Sequence, residues 1–168
     1  NQRGMRLIES LQDADIPAEQ VTPEVLAAAS DTETPQGILL VLPIPETTIA
    51  EHLDRALIVD QVRDPGNLGT LLRTAAAVGV GRVLLLPGTV DVYAPKVVRA
   101  GMGAHFQLDL MNATLDDLHH LLERHNLTLC LAEAGAATRY DQFDLSQPLA
   151  LVVGGEAGGA SRPLRTLP

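Results

Sequence analysis

The sequence predicts an open α/β fold with a parallel sheet. Short aliphatic strands alternate with helical segments through the last two thirds of the chain, and no internal repeat or low-complexity tract interrupts them. The predicted connections are right-handed crossovers, which place ligand-facing loops at the carboxyl ends of the strands.

Before the alternating region, "MRLIESLQDA" reads as a short helix. "TPEVLAAAS" reads as another, with Thr22 as N-cap and Pro23 at the first helical position. A strand is expected over Gly37 to Leu42, in "GILLVLP". The two prolines and polar cluster of "LPIPETTIAEH" then mark a linker at residues 46–52. The 45 residues ahead of it bury little surface alone and read as the remainder of a domain whose beginning is absent.

After the linker come a strand at Ala56–Asp60, a helix from Leu68 to Val78, a strand at Val83–Leu86 and a helix at about Pro95–Ala100. The helix "TLDDLHHLLERH", a strand at Leu127–Ala132 and a final strand, "PLALVVGG", complete the pattern. In the first of these helices Leu68, Leu71, Leu72, Ala75 and Ala76 form the apolar stripe. Asn67 stands as the expected N-cap, and Gly79 supplies the stop.

Arg73 lies off that stripe, beside Gly66, Gly69, Thr70 and Ala77, so its guanidinium has room to lie over Gly69 toward Asn67. A solvated helix face normally carries several charges, whereas Arg73 is alone between Asp64 and Arg82. The macrodipole also disfavours a cation near a helix start. Such an arginine, at the mouth of a strand-turn-helix, points to an anion or polar ligand.

The last strand runs into "VVGGEAGGAS", where Gly154, Gly155, Gly158 and Gly159 surround Glu156. Glycines there let backbone amides approach a ligand. The spacing fits neither the dinucleotide fingerprint nor a phosphate-binding P-loop. Glu156 is a candidate partner for Arg73, and the loops Asp60–Asn67, Glu133–Gly135 and Gly154–Ser161 should converge. His105, after the Gly-Met-Gly turn of "RAGMGAHF", is a candidate phosphate or ribose contact, whereas His119, His120 and His125 match no metal-ligand spacing.

The 168 residues are 46% hydrophobic but only 2% aromatic, with no Trp, so the core is aliphatic. The single cysteine, Cys130, precludes an internal disulfide and fits a reducing compartment; with no signal-like or membrane-length apolar segment, the expected location is cytoplasmic. A net charge of −9 argues against a nucleic-acid partner, but the segment from Asp60 to Gly103 holds Arg63, Arg73, Arg82, Lys96 and Arg99 against only Asp60, Asp64 and Asp91.

Together "DQVRDPGNLGTLLRTAAAVGV", "RAGMGAHF" and "LVVGGEAGGAS" resemble, in order and separation, motifs of the SpoU (TrmH-like) RNA 2′-O-ribose methyltransferases of the SPOUT superfamily. The upstream "VTPEVLAAASDTETPQGILLVL" resembles the end of an L30e-like RNA-binding domain. The resemblance therefore implies that residues 1–45 are part of that domain and residues 53–168 a methyltransferase domain, trefoil-knotted and homodimeric when complete.

It implies methyl transfer from S-adenosylmethionine to a ribose 2′-hydroxyl of ribosomal or transfer RNA, with ribosomal RNA favoured. The family's motif asparagine, arginine and glutamate correspond to Asn67, Arg73 and Glu156. The cofactor would lie against Leu131, Ala132, Glu133, Gly154, Gly155, Glu156, Gly158 and Gly159, and RNA against Arg63, Arg73, Arg99 and His105. No metal or membrane is implied. The family's third motif does not occur before Pro168, so a chain ending there is expected to bind cofactor poorly. Two other readings are a catalytically inactive RNA-binding scaffold of the same fold and an unrelated nucleotide-binding α/β protein.

Overall fold

The computed structural model describes residues 2–30, 32, 34–45, 52–156 and 158–167. The chain divides into two compact units, Asn1–Ile44 and Pro45–Pro168. The expected linker over residues 46–52 lies, but for its last residue, outside the described residues.

The first unit contains helices α1 (Gln2–Asp13) and α2 (Pro23–Ala29). Thr22 caps α2 as expected, its hydroxyl accepting from the Val25 N–H at 3.4 Å, with Pro23 opening the helix. The strand expected at Gly37–Leu42 is not formed. No described residue of this unit is in a strand, and an extended segment without a neighbour cannot satisfy its backbone groups as a ladder does. Its aliphatic side chains are exposed, Val41 to 90%.

The second unit is a five-stranded parallel sheet in the order β3-β2-β1-β5-β4. Its strands are β1 (Arg55–Asp60), β2 (Arg82–Leu85), β3 (Asp109–Asn112), β4 (Thr128–Ala132) and β5 (Leu149–Gly154). Helices α3 (Pro65–Ala77), α4 (Pro95–Gly101), α5 (Leu115–His125) and α6 (Arg162–Arg165) connect or follow them.

Side-chain alternation along the strands divides the core into two layers. Leu57 and Val59 of β1 join Val83, Leu85, Leu68, Leu72, Ala75 and Val97 on one face. Ile58, Leu84 and Val152 join Leu118, Leu121 and Leu164 on the other. The predicted stripe of α3 thus packs as expected, and Gly79, at φ +74°, ends the helix.

Two further features, in the second unit, differ from the sequence reading. Helix α3 starts earlier than Leu68: Asp64 is its N-cap, accepting the Asn67 N–H at Oδ1 over 2.7 Å, with Pro65 at the first position. Asn67 therefore sits within the first turn, and its side chain is free of capping duty. The unforeseen strand β3 pairs with β2 so that Asp109 stands beside Arg82. Arg82 is buried, and its Nε donates to Asp109 Oδ2 at 2.8 Å. It therefore leaves the count of cations available to a partner.

Gly69 is buried where α3 crosses α4. A Cβ there would stand 2.3 Å from Ala100 Cβ and 2.9 Å from the backbone beyond it. The small face of α3 is thus partly occupied by α4, rather than open to a ligand along its whole length. Gly69→Val should destabilise the domain by about 1–3 kcal/mol through overpacking. Urea unfolding followed by circular dichroism checks this, and an unchanged midpoint would mean that the helices do not meet at this glycine.

Candidate active site at the β1 and β5 exits

The chain steps outward from β1 through β2 to β3, then crosses to the far edge and returns through β4 to β5. The order reverses between β1 and β5, where an open α/β sheet leaves its ligand crevice. Their register sets Asp60 opposite Gly154. The loops that follow these strands consequently meet.

Their contacts are specific. Asp60 is only 2% exposed, and its Oδ2 accepts the Ser161 N–H at 2.6 Å, which pins the far end of the glycine loop to the end of β1. Within that loop the Gly159 N–H donates to the Gly155 carbonyl at 2.9 Å. A Cβ on Gly154 would stand 2.0 Å from the Gly159 carbonyl carbon, and one on Gly155 2.6 Å from the Gln61 oxygen. These glycines let loop close upon loop, a requirement of packing and not of ligand approach. Gly158, by contrast, has open space where a Cβ would stand.

Across the crevice Asn67 Nδ2 donates to Glu156 Oε1 at 2.9 Å. This bond, followed by the backbone bond at Glu156, holds the carboxyl below the ordinary glutamate range. Both side chains are exposed, as is Arg73. Among the described residues Glu156 is bonded to Asn67 and forms no ion pair with Arg73, so the pairing suggested by the sequence is replaced by an amide–carboxylate bond. With α4 over Gly69, the guanidinium cannot lie on that glycine.

At the neighbouring exit, Ala132 of β4 lies opposite Val153 of β5. This brings Leu131, Ala132 and Glu133 beside Gly154 and Gly155. Glu133 Oε1 is buried and meets Arg165 Nε at 2.8 Å, held by charge rather than by a well-aligned hydrogen bond. Arg63 and Arg99 are exposed. His105 is buried: its Nε2 donates to the Val92 carbonyl at 2.8 Å, and its ring fills the space beside Gly101, where a Cβ would stand 2.9 Å from Cε1. Its part is structural, and it is not available to a phosphate. Asp60, Ser161 and Arg165 were not singled out in the sequence. An aspartate ending an aliphatic strand was the one local signal, whereas Ser161 and Arg165 acquire their roles only when the exits are brought together. No group of three or more potential metal-ligating side chains occurs among the described residues.

A parallel α/β sheet whose switch-point loops join an asparagine to a glutamate defines an open α/β domain with its ligand crevice at the β1–β5 exits. Residues 54–167 match the model of the SpoU rRNA Methylase family, and the chain belongs to that family. Mouse (Mus musculus) mitochondrial rRNA methyltransferase 3 is 50% identical over 91 residues, which cover 49% of this chain and 22% of that protein. The Bacillus subtilis 23S rRNA (guanosine(2553)-2′-O)-methyltransferase RlmP is 33% identical over 141 residues, covering 84% of this chain and 56% of that protein. An AdoMet-bound rRNA methyltransferase structure from Sinorhizobium meliloti superposes with a TM-score of 0.70 at 26% identity, covering 86% of this chain and 57% of that one. The chain spans from about a fifth to just over half the length of these proteins.

Because the depression of the Glu156 carboxyl comes first from Asn67, Asn67→Ala should return its titration toward the ordinary glutamate range. In the wild type the bond is present above that range and is lost as pH falls through the lowered value. Carboxyl carbon NMR across the acid range checks this; an unmoved Glu156 titration in the variant would mean that the bond does not form in solution.

Proposed function

We propose that this protein transfers a methyl group from S-adenosylmethionine to a ribose 2′-hydroxyl of RNA, with ribosomal RNA preferred to transfer RNA. The observation that carries this reading is the Asn67–Glu156 bond across the β1–β5 switch point, with the exposed Arg73 on the same helix as Asn67. Family membership and the names of the rRNA methyltransferases it resembles support it.

A 2′-hydroxyl is a weak nucleophile at neutral pH, so the site must draw charge from it and hold its oxygen in line with the methyl donor. Arginine stays protonated. Arg73 therefore acts electrostatically, stabilising negative charge on the oxygen and orienting the adjacent phosphate as the hydroxyl proton passes to water. A carboxylate held below its ordinary range is a poor base, so the part of Glu156 is to fix Asn67 and the glycine loop at the crevice mouth.

The residues present fit one part of the cofactor site. Glu133 offers a buried oxygen without a well-aligned hydrogen bond, Gly158 leaves open space, and the apolar Leu131 and the Ala132 and Gly154 backbones flank them. Together with Gly155, Glu156 and Gly159 they would hold S-adenosylmethionine, which supplies an electrophilic methyl on its sulfonium. Arg63 and Arg99 extend the RNA contact.

The same reading includes the C-terminal part of an L30e-like RNA-binding domain over residues 1–45 and a methyltransferase domain over residues 53–168 that is trefoil-knotted and homodimeric in the complete protein. The separation of residues 1–44 as a compact unit supports the division. The lone Cys130 supports a reducing compartment such as the cytoplasm.

In the full-length protein, Arg73→Ala should lower radiolabelled methyl transfer to RNA by roughly a hundredfold or more, as expected for removing a transition-state donor. Its circular dichroism and melting temperature should stay near wild type because Arg73 is exposed. Transfer near the wild-type rate would remove Arg73 from the reaction.

A further inference from the structure

Helix α6 follows the glycine loop and is fixed by Leu164, which is 1% exposed in the core with Leu118 and Val152. From that anchored position the next residue, Arg165, reaches back. Its Nη2 donates to the Gly158 carbonyl at 3.0 Å, and its Nε meets Glu133 Oε1 at 2.8 Å. One guanidinium thus joins the exit of β4 to the loop that leaves β5. Beneath it, Gly159 adopts φ +64°, with Arg165 Nη2 3.3 Å and Glu133 Oε1 3.7 Å from where a Cβ would stand.

We propose that Arg165 is a positioning residue for the cofactor pocket: it clamps the open Gly158 segment and aims the Glu133 carboxylate between the two strand exits. This rests on the cofactor reading above. The Arg165 side chain is 48% exposed, and a half-exposed ion pair contributes little to global stability. Its consequence is geometric. The planar guanidinium is what lets one side chain reach both partners, Gly158 by a hydrogen bond from Nη2 and Glu133 by the charge at Nε, in a geometry that a lysine ammonium cannot reproduce.

The glycine loop cannot supply this rigidity itself. Its near end is tied by the Gly159–Gly155 bond and its far end by Asp60 and Ser161. Among the described residues, the Gly158 carbonyl receives its side-chain bond from Arg165. Releasing it frees the part of the loop that has open space around it, while the sheet stays intact.

The test compares wild type, Arg165→Ala, Arg165→Lys and Glu133→Gln in the full-length protein. Without cofactor, deuterium exchange read by mass spectrometry should be faster across residues 154–161 in Arg165→Ala and unchanged in β1, with the melting temperature near wild type. Calorimetry with S-adenosylmethionine should show affinity weakened by roughly tenfold to a hundredfold, as for loss of a charged hydrogen bond, and steady-state kinetics should raise KM more than they lower kcat. Arg165→Lys should recover part of the affinity, and Glu133→Gln should weaken it. Wild-type exchange in the Arg165→Ala loop overturns the clamp whatever the cofactor does. A faster loop with unchanged affinity overturns its role in the pocket. A wild type that binds no S-adenosylmethionine while the Arg165→Ala loop still exchanges faster overturns the cofactor reading and leaves the clamp standing.

Discussion

The candidate site depends on the parallel pairing of β1 with β5. That register puts Asp60 level with Gly154, so the two strands release their loops at the same height and at the point where strand order reverses. Each later contact requires this alignment: Ser161 on Asp60, Gly155 against Gln61, and Asn67 on Glu156. The glycines at 154 and 155 make it sterically possible, because a side chain on either would meet backbone atoms. A parallel strand is specified by its apolar faces. The core that stabilises the fold therefore also sets the geometry of the crevice.

Charge is arranged on the same principle. The chain carries −9 overall, which would repel a polyanion if spread evenly. Burial removes Arg82 from the surface into its pair with Asp109, while Arg63, Arg73, Lys96 and Arg99 remain exposed. A cation count taken from sequence weighs these five equally, whereas burial leaves four of them at the surface. Contacts to phosphate weaken as salt rises. The sequence-wide charge and these exposed cations thus act in opposite directions on a polyanion.

Much of this was legible from local rules. The apolar stripe of α3, the cap and proline of α2, and the aliphatic runs of β1 and β5 each follow from a few neighbouring residues. The failures have physical causes. The run at residues 37–42 has the composition of a strand but no partner strand among the described residues of its unit. Strand β3 is four residues long and begins with a charge whose partner lies 27 positions earlier. Asn67 looked like the cap because the two residues before it are helix breakers, yet a proline after Asp64 opens a helix as readily as it ends one. His105 and Arg165 exchanged significance for the same reason: one is buried against Gly101, the other carried to Glu133, by packing that local spacing does not encode.

The most direct test of the proposed activity is the mass-spectrometric mapping of 2′-O-methylated nucleotides in ribosomal RNA from cells lacking the gene. The deleted strain should be complemented in parallel with wild type and with Arg73→Ala. A nucleotide unmethylated in the deletion, restored by wild type and left unmethylated by Arg73→Ala is the predicted result. Loss of no ribosomal 2′-O-methyl group, or full restoration by Arg73→Ala, would contradict an active site built at the β1–β5 switch point.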